Sequence, residues 1–305
     1  MKSTSGQQAH RKYDGGKLMY DKKLTLTNGV EIPQLALGTW LIDDSKVSAA
    51  VRSAIELGYR HIDTAQAYGN ERGVGEGVRE SGISRDEIFV TSKVAAEHKD
   101  YKSASEGIDE TLHKTGLDYL DMMIIHSPQP WALVNQSDDR FVDGNREAWR
   151  ALEDAYKAGK LRAIGISNFL EGDIDSLWET AEIKPMVNQV LCHISNSPLS
   201  LIDYCMGKGI VMEAYSPVAH GEAMKNNAIV EMADKYGVSV PQLCIRYDIQ
   251  LGMIVLPKTS DPDHMKTNAD VDFVISDADM EILKNTEHIN NYGEHSFFPV
   301  FGGKL

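Results

Sequence analysis

The chain has little cysteine, no excess of basic residues and no long apolar run, and each shortage narrows what it can do. Its three cysteines, Cys192, Cys205 and Cys244, are widely spaced with no C-x-x-C pair, which argues against a zinc knuckle or a redox dithiol. We read them as buried small apolar residues in a reducing cytosol. Lys and Arg number 31 against 45 Asp and Glu, a formal net charge of -14. That balance excludes nucleic acid as the main partner, because phosphate neutralisation needs clustered basic side chains, but it leaves room for a local basic pocket that holds one nucleotide. The first 23 residues carry Lys2, Arg11, Lys12, Lys17, Lys22 and Lys23 and no apolar stretch of signal-peptide or membrane-helix length. We expect residues 1–23 to be a polar arm, mobile or loosely docked, on a cytoplasmic protein without a membrane partner. No His, Asp or Glu cluster has the spacing of a metal site.

What is present is alternation. Asn28-Gly29 sits between two short alternating segments, Leu24-Thr25-Leu26 and Val30-Glu31-Ile32, which predicts a tight β-hairpin. Beyond it, short apolar runs at 35–37, 61–62, 88–90, 122–125, 163–166, 187–190, 210–212 and 254–256 alternate with amphipathic stretches such as 45–57, 104–115, 145–157 and 226–236. Gly58, Gly116, Gly159 and Gly237 follow such stretches, where a helix needs a left-handed stop. Eight strand-helix units predict a single (β/α)8 TIM barrel over 24–305, with an open doubly wound sheet as the competing fold.

Reactive groups of a parallel barrel belong at the carboxyl ends of its strands. Asp63 follows one apolar run, Lys93 another and His126 a third, and Tyr68 lies in the loop after Asp63. A phenol is a poor acid at neutral pH, but an ammonium about 4 Å away favours the phenolate by roughly 4 kcal/mol at an effective dielectric of 20, about three pKa units. Lys93 is thus expected to draw Tyr68 towards the working pH, with Asp63 holding the lysine and His126 orienting a carbonyl. The bland reading is a buried Asp–Lys pair and a core histidine without catalytic work. Two spellings are set aside. Tyr156-Lys157-Ala158-Gly159-Lys160 spells the Y-x-x-x-K of short-chain dehydrogenases, but stands at a helix end and without a glycine-rich phosphate loop upstream. Gly73-Val74-Gly75-Glu76-Gly77 is a helix start, not a dinucleotide fingerprint.

Gly58-Tyr59-Arg60-His61-Ile62-Asp63-Thr64-Ala65 with Tyr68-Gly69-Asn70-Glu71 resembles the signature of the aldo-keto reductases, in their diketogluconate-reductase-like branch. Ile164-Gly165-Ile166-Ser167-Asn168-Phe169, Ile254-Val255-Leu256-Pro257-Lys258, Leu37-Gly38-Thr39-Trp40, Val187-Asn188-Gln189-Val190 and Ala214-Tyr215-Ser216-Pro217 are similar to further family segments. The resemblance implies NADPH-dependent reduction of a small-molecule carbonyl, with Asp63, Tyr68, Lys93 and His126 as the tetrad. It also implies Ser167, Asn168 and Gln189 at the nicotinamide carboxamide, Tyr215 on its ring and Ser216 near the pyrophosphate. Lys258, Thr259, Ser260, His264 and Asn268 would then surround the adenosine ribose and its 2′-phosphate.

His264 stands where NADPH-preferring relatives usually have arginine, and Thr267-Asn268 where they have Glu-Asn. A histidine cannot grip phosphate with a planar fork, so NADPH is the expected cofactor and NADH stays open. Leu191 replaces a common glutamate, and Ser127 a tryptophan that often follows the catalytic histidine, which widens that corner unless another group fills it. Trp40, Trp131 and Phe141 are expected walls of the substrate pocket, segment 127–143 has the length of a rim cover, and the apolar tail 296–301 is expected to fold over the rim as a specificity loop. Two alternatives accompany the reductase reading: a cofactor-binding regulatory subunit, and a hydrolase, which would need paired carboxylates or a metal. The chain is expected to be a monomer or weak homodimer.

Overall fold

In the computed structural model, which describes residues 19–302, Gly29 takes φ +84° and turns β1 (Lys23–Thr25) onto β2 (Glu31–Pro33) as an antiparallel hairpin. Only a residue without Cβ adopts that backbone freely. Just before β1, Met19–Asp21 forms a 3-10 turn with Met19 buried and Tyr20 edge-on to Tyr59 at 5.5 Å. The end of the expected arm is therefore docked, and 1–18 lie outside the described residues.

Eight parallel strands follow: β3 (Leu37–Gly38), β4 (His61–Asp63), β5 (Phe89–Val94), β6 (Leu120–Ile125), β7 (Leu161–Ser167), β8 (Val187–Leu191), β9 (Val211–Tyr215) and β10 (Ile254–Leu256). Each pairs with the next in chain order. Parallel bridges from Leu35 to Val255 and from Gly38 to Lys258 join first strand to last, with Ala36 N–H donating to Val255 O at 3.0 Å and Gly38 N–H to Pro257 O at 3.1 Å. The sheet is thereby closed into a (β/α)8 barrel, as the eight apolar runs predict.

The outer ring consists of α1 (Asp44–Leu57), α2 (Glu71–Arg79), α3 (Tyr101–Thr115), α4 (Val142–Lys157), α5 (Glu171–Thr180), α6 (Leu199–Gly207), α7 (Asn227–Tyr236), α8 (Val240–Gln250), α9 (Pro262–Ala269) and α10 (Asp277–Lys284). Gly58 ends α1 at φ 114° and donates its N–H to Ala54 O and Ile55 O, the stop its position implies. The glycines of α2 serve packing: a Cβ on Gly73 would strike the Asp44 backbone of α1, and one on Gly75 the Thr115 backbone of α3. They let three helices approach closely over the Tyr68 side of the rim.

Two apolar cores result. One fills the barrel and the space beneath its helices, with Ile62, Val90, Ile124, Ile164 and Val255 at zero exposure. The other lies between α7, α8 and α10 and is completed by Tyr292, Val300 and Phe301 of the C-terminal segment. All three cysteines are buried and free. Among the described residues no helix is long and apolar enough to cross a membrane.

Candidate active site

The carboxyl ends of β4, β5 and β6 deliver Asp63, Lys93 and His126 to one rim, and a 3-10 turn, Gln66–Tyr68, brings in the tyrosine. Lys93 has no exposure, and its ammonium spends all three hydrogens: on Asp63 Oδ1 at 2.6 Å, Thr64 O at 2.8 Å and the Tyr68 hydroxyl at 3.2 Å. Burial works against that ammonium, but Asp63 and Tyr68 outweigh it and hold its pKa above the ordinary lysine value. The Tyr68 phenol behaves differently from expectation. Burial raises its pKa and Lys93 reverses only part of the rise, because a Coulomb argument between two groups leaves out the water both have lost.

His126 faces Tyr68 across the cavity, ring centres 5.7 Å apart. Burial, reinforced by Lys93 and Lys99, holds its pKa well below the ordinary value, so the ring is neutral. Nδ1 is sealed inside without a partner while the residue lines the cavity. Nε2 is therefore the nitrogen offered to a ligand, and the tautomer that leaves no N–H stranded carries the proton there.

Behind the tetrad lies an acid that sequence reasoning missed. Gln189 Nε2 donates to Asp63 Oδ2 at 2.9 Å and to Glu213 Oε2 at 2.8 Å. Glu213 is fully buried, and burial together with Asp63 pushes its pKa up to about 8. The signal was an acid at the centre of the apolar strand β9.

The cavity, about 450 Å³, runs from Asp63, Tyr68 and His126 to the seam of the barrel, where Lys258, Thr259, His264, Thr267 and Asn268 line it. Lys258 is exposed and has no acid partner among the described residues. Ser260, exposed just before α9, does not line the cavity. Ser167 is also absent from the wall: it is fully buried behind Asn168, whose Nδ2 donates to Ser167 Oγ and to His126 O, both at 3.1 Å. The Tyr215 hydroxyl donates to Asn168 Oδ1 at 2.8 Å. Ser216, at φ 55°, bonds His220 through its Oγ at 3.0 Å.

Trp40 is a wall of the other end, as read, with Phe298 5.0 Å and His295 6.5 Å from its ring. Trp131 stands one layer back, edge-on to His126 at 4.8 Å and tilted on Phe298 at 5.2 Å. Phe141 is no wall. Gln129 binds the Ser137 and Asp139 carbonyls, Arg140 pairs with Asp173, and Asn145 holds Pro128 O. These bonds fold the segment back before Phe141, which precedes α4 at φ 51°. The tail reaches the rim and also packs on the protein: Phe298 faces the cavity, while Phe301 stacks on Tyr292 at 4.1 Å. Sequence reasoning missed Leu41, Met224 and His295 as lining residues; they come from turns with no periodic pattern. Leu191 is buried in the second apolar core, where an acid would have no cation beside it.

The comparisons agree with this geometry. A family model described as "Aldo/keto reductase family" matches residues 34–288. A Bacillus subtilis protein named glyoxal reductase is 42% identical over 258 residues, 84% of this chain and 89% of that protein. A Trypanosoma cruzi protein named 9,11-endoperoxide prostaglandin H2 reductase is 38% identical over 283 residues, 90% of this chain and 96% of that one. Among solved structures, a Bombyx mori aldo-keto reductase in complex with NADP is similar at a TM-score of 0.80 and 30% identity, covering 90% of this chain and 95% of that one. With a closed eight-stranded barrel and the family match running across nearly all of it, this chain belongs to the aldo/keto reductase family.

Proposed function

We propose that the chain reduces the carbonyl group of an aldehyde or ketone to an alcohol with NADPH, and that Tyr68 is its proton donor. The observation that carries this is the single ammonium of Lys93 bonded at once to Asp63 and to the Tyr68 hydroxyl, with the free nitrogen of His126 across the cavity. The NADP in the Bombyx mori structure and the reductase names of the relatives support the same reading.

The wall residues suit a nicotinamide cofactor. Asn168 and Gln189 have committed their N–H groups to protein acceptors, and Gln189 Oε1 has no partner among the described residues. A carboxamide NH2 meets acceptors there. Exposed Lys258 suits a phosphate at the far end, and His264 is a weaker aid than arginine.

NADPH supplies the hydride when bound. His126 Nε2–H accepts no charge and donates a hydrogen bond to the carbonyl oxygen, setting its angle. Tyr68, kept protonated by burial, passes its proton to that oxygen as negative charge develops, and Lys93 then steadies the phenolate. Asp63 holds Lys93 in place. Tyr68→Phe is expected to lower kcat for carbonyl reduction by about 10³-fold while NADPH binding changes little, because the hydroxyl serves the transition state. A variant that follows NADPH oxidation at 340 nm at the unsubstituted rate removes Tyr68 from this role.

A further inference from the structure

The mechanism leaves Glu213 without a task, although one amide, Gln189, joins it to Asp63 of the tetrad. It lies midway along β9, beside Gln189 of β8 and Ile254 of β10 in register. Gln189 Nε2 is held between Asp63 Oδ2 and Glu213 Oε2, which uses both of its hydrogens. An amide so gripped has one end left, and Gln189 Oε1 is the end that faces the cavity without a protein partner. Were the Glu213 anchor absent, one N–H would be released and the amide, held by Asp63 alone, could swing about that single bond and carry Oε1 out of place.

Resting on the reductase reading above, we propose that Glu213 is a positioning residue: it fixes the Gln189 amide so that Oε1 accepts a hydrogen from the carboxamide NH2 of the nicotinamide. Glu213 does this as a neutral acid. Its Oε2 has one donor and its Oε1 none, too few for a buried carboxylate. The charged groups facing it are Asp63 on β4 and Lys93 on β5, which already balance; Gln189 and Ile254, beside it on β8 and β10, do not titrate. Above pH about 8 the acid ionises and places a second negative charge beside Asp63, which opposes formation of the Tyr68 phenolate.

The test compares NADPH with its 3-acetylpyridine analogue, which keeps the carbonyl and lacks the NH2, by quenching of protein fluorescence and by pH profiles of carbonyl reduction. The unsubstituted protein should bind NADPH roughly tenfold more tightly than the analogue, the scale of one lost hydrogen bond. Glu213→Leu should bring that ratio close to one. Glu213→Gln, which keeps an acceptor and cannot ionise, should retain the ratio and lose the fall in kcat that sets in at pH about 8, leaving only the later one that belongs to Tyr68. A Glu213→Leu protein that keeps the full ratio, or a Glu213→Gln protein that keeps the earlier fall, overturns the proposal. Failure of the unsubstituted protein to bind NADPH at all would instead overturn the reductase reading beneath it.

Discussion

Asp63 and Asp248 are both aspartates sealed inside the same molecule, at 3% and 0% exposure, and they have opposite surroundings. Asp63 meets an ammonium on one oxygen and an amide on the other. Asp248, on α8, meets only the Cys192 thiol, 3.5 Å from Oδ1, and its Oδ2 meets nothing. Burial pushes the Asp248 pKa well above the ordinary value, so this acid folds with its proton on. The difference lies in the partners: Asp63, like the buried Asp121 beside Arg85 and Arg162, has a cation built against it, and Asp248 has none.

The largest effect is expected from turning the first aspartate into the second. Lys93→Met leaves Asp63 without its cation, and kcat/KM for carbonyl reduction should fall by at least about 10³-fold while stability drops by about 3–5 kcal/mol. Adding Asp63→Asn should restore stability in denaturant unfolding and leave activity lost; a double variant no more stable than the single one would show that the pair is not what the fold depends on. A smaller effect is expected at Asp248. Its folded pKa lies above its unfolded value near 3.9, so stability is fullest below that value and declines as pH rises towards the folded pKa. Asp248→Asn removes that decline, and its Tm should fall between pH 5 and 8 by several degrees less than that of the unsubstituted protein. Parallel pH curves for the two proteins would mean that Asp248 does not fold neutral. The smallest effect belongs to the exposed rim, where water screens charge. His264→Arg should tighten NADPH by about tenfold and leave NADH unchanged; equal tightening of both would place the 2′-phosphate elsewhere.

How legible each part was in the sequence follows from the range of the forces behind it. The eight strands were readable because burial on both faces leaves unbroken apolar runs, and Asp63, Lys93 and His126 stood out as the polar residues that end them. Glu213 was hidden by the same logic: an acid inside an apolar strand looks like an interruption until Gln189 and Asp63 arrive from other strands. Phe141 was misplaced because hydrogen bonds from Gln129, Arg140 and Asn145 decide which way its segment turns, and those partners are distant or irregularly spaced. The direction of the Tyr68 shift was misjudged because the sequence displays the charge of Lys93 and conceals the burial that outweighs it. Asp248 occupies an ordinary helical position, and nothing in the period of α8 announces that its side chain has no water.

The seam between β3 and β10 has a consequence for the order in which the protein is made. The two bridges that close the barrel join strands far apart in the sequence, so they carry the largest loop-closure cost of any neighbouring strand pair. Gly38 and Lys258, on the two sides of that seam, are also walls of the cavity. A nascent chain that has already emerged with Asp63, Tyr68, Lys93 and His126 therefore still lacks one side of the groove for its dinucleotide. The groove is complete only once β3 and β10 have met, however early the tetrad itself is assembled.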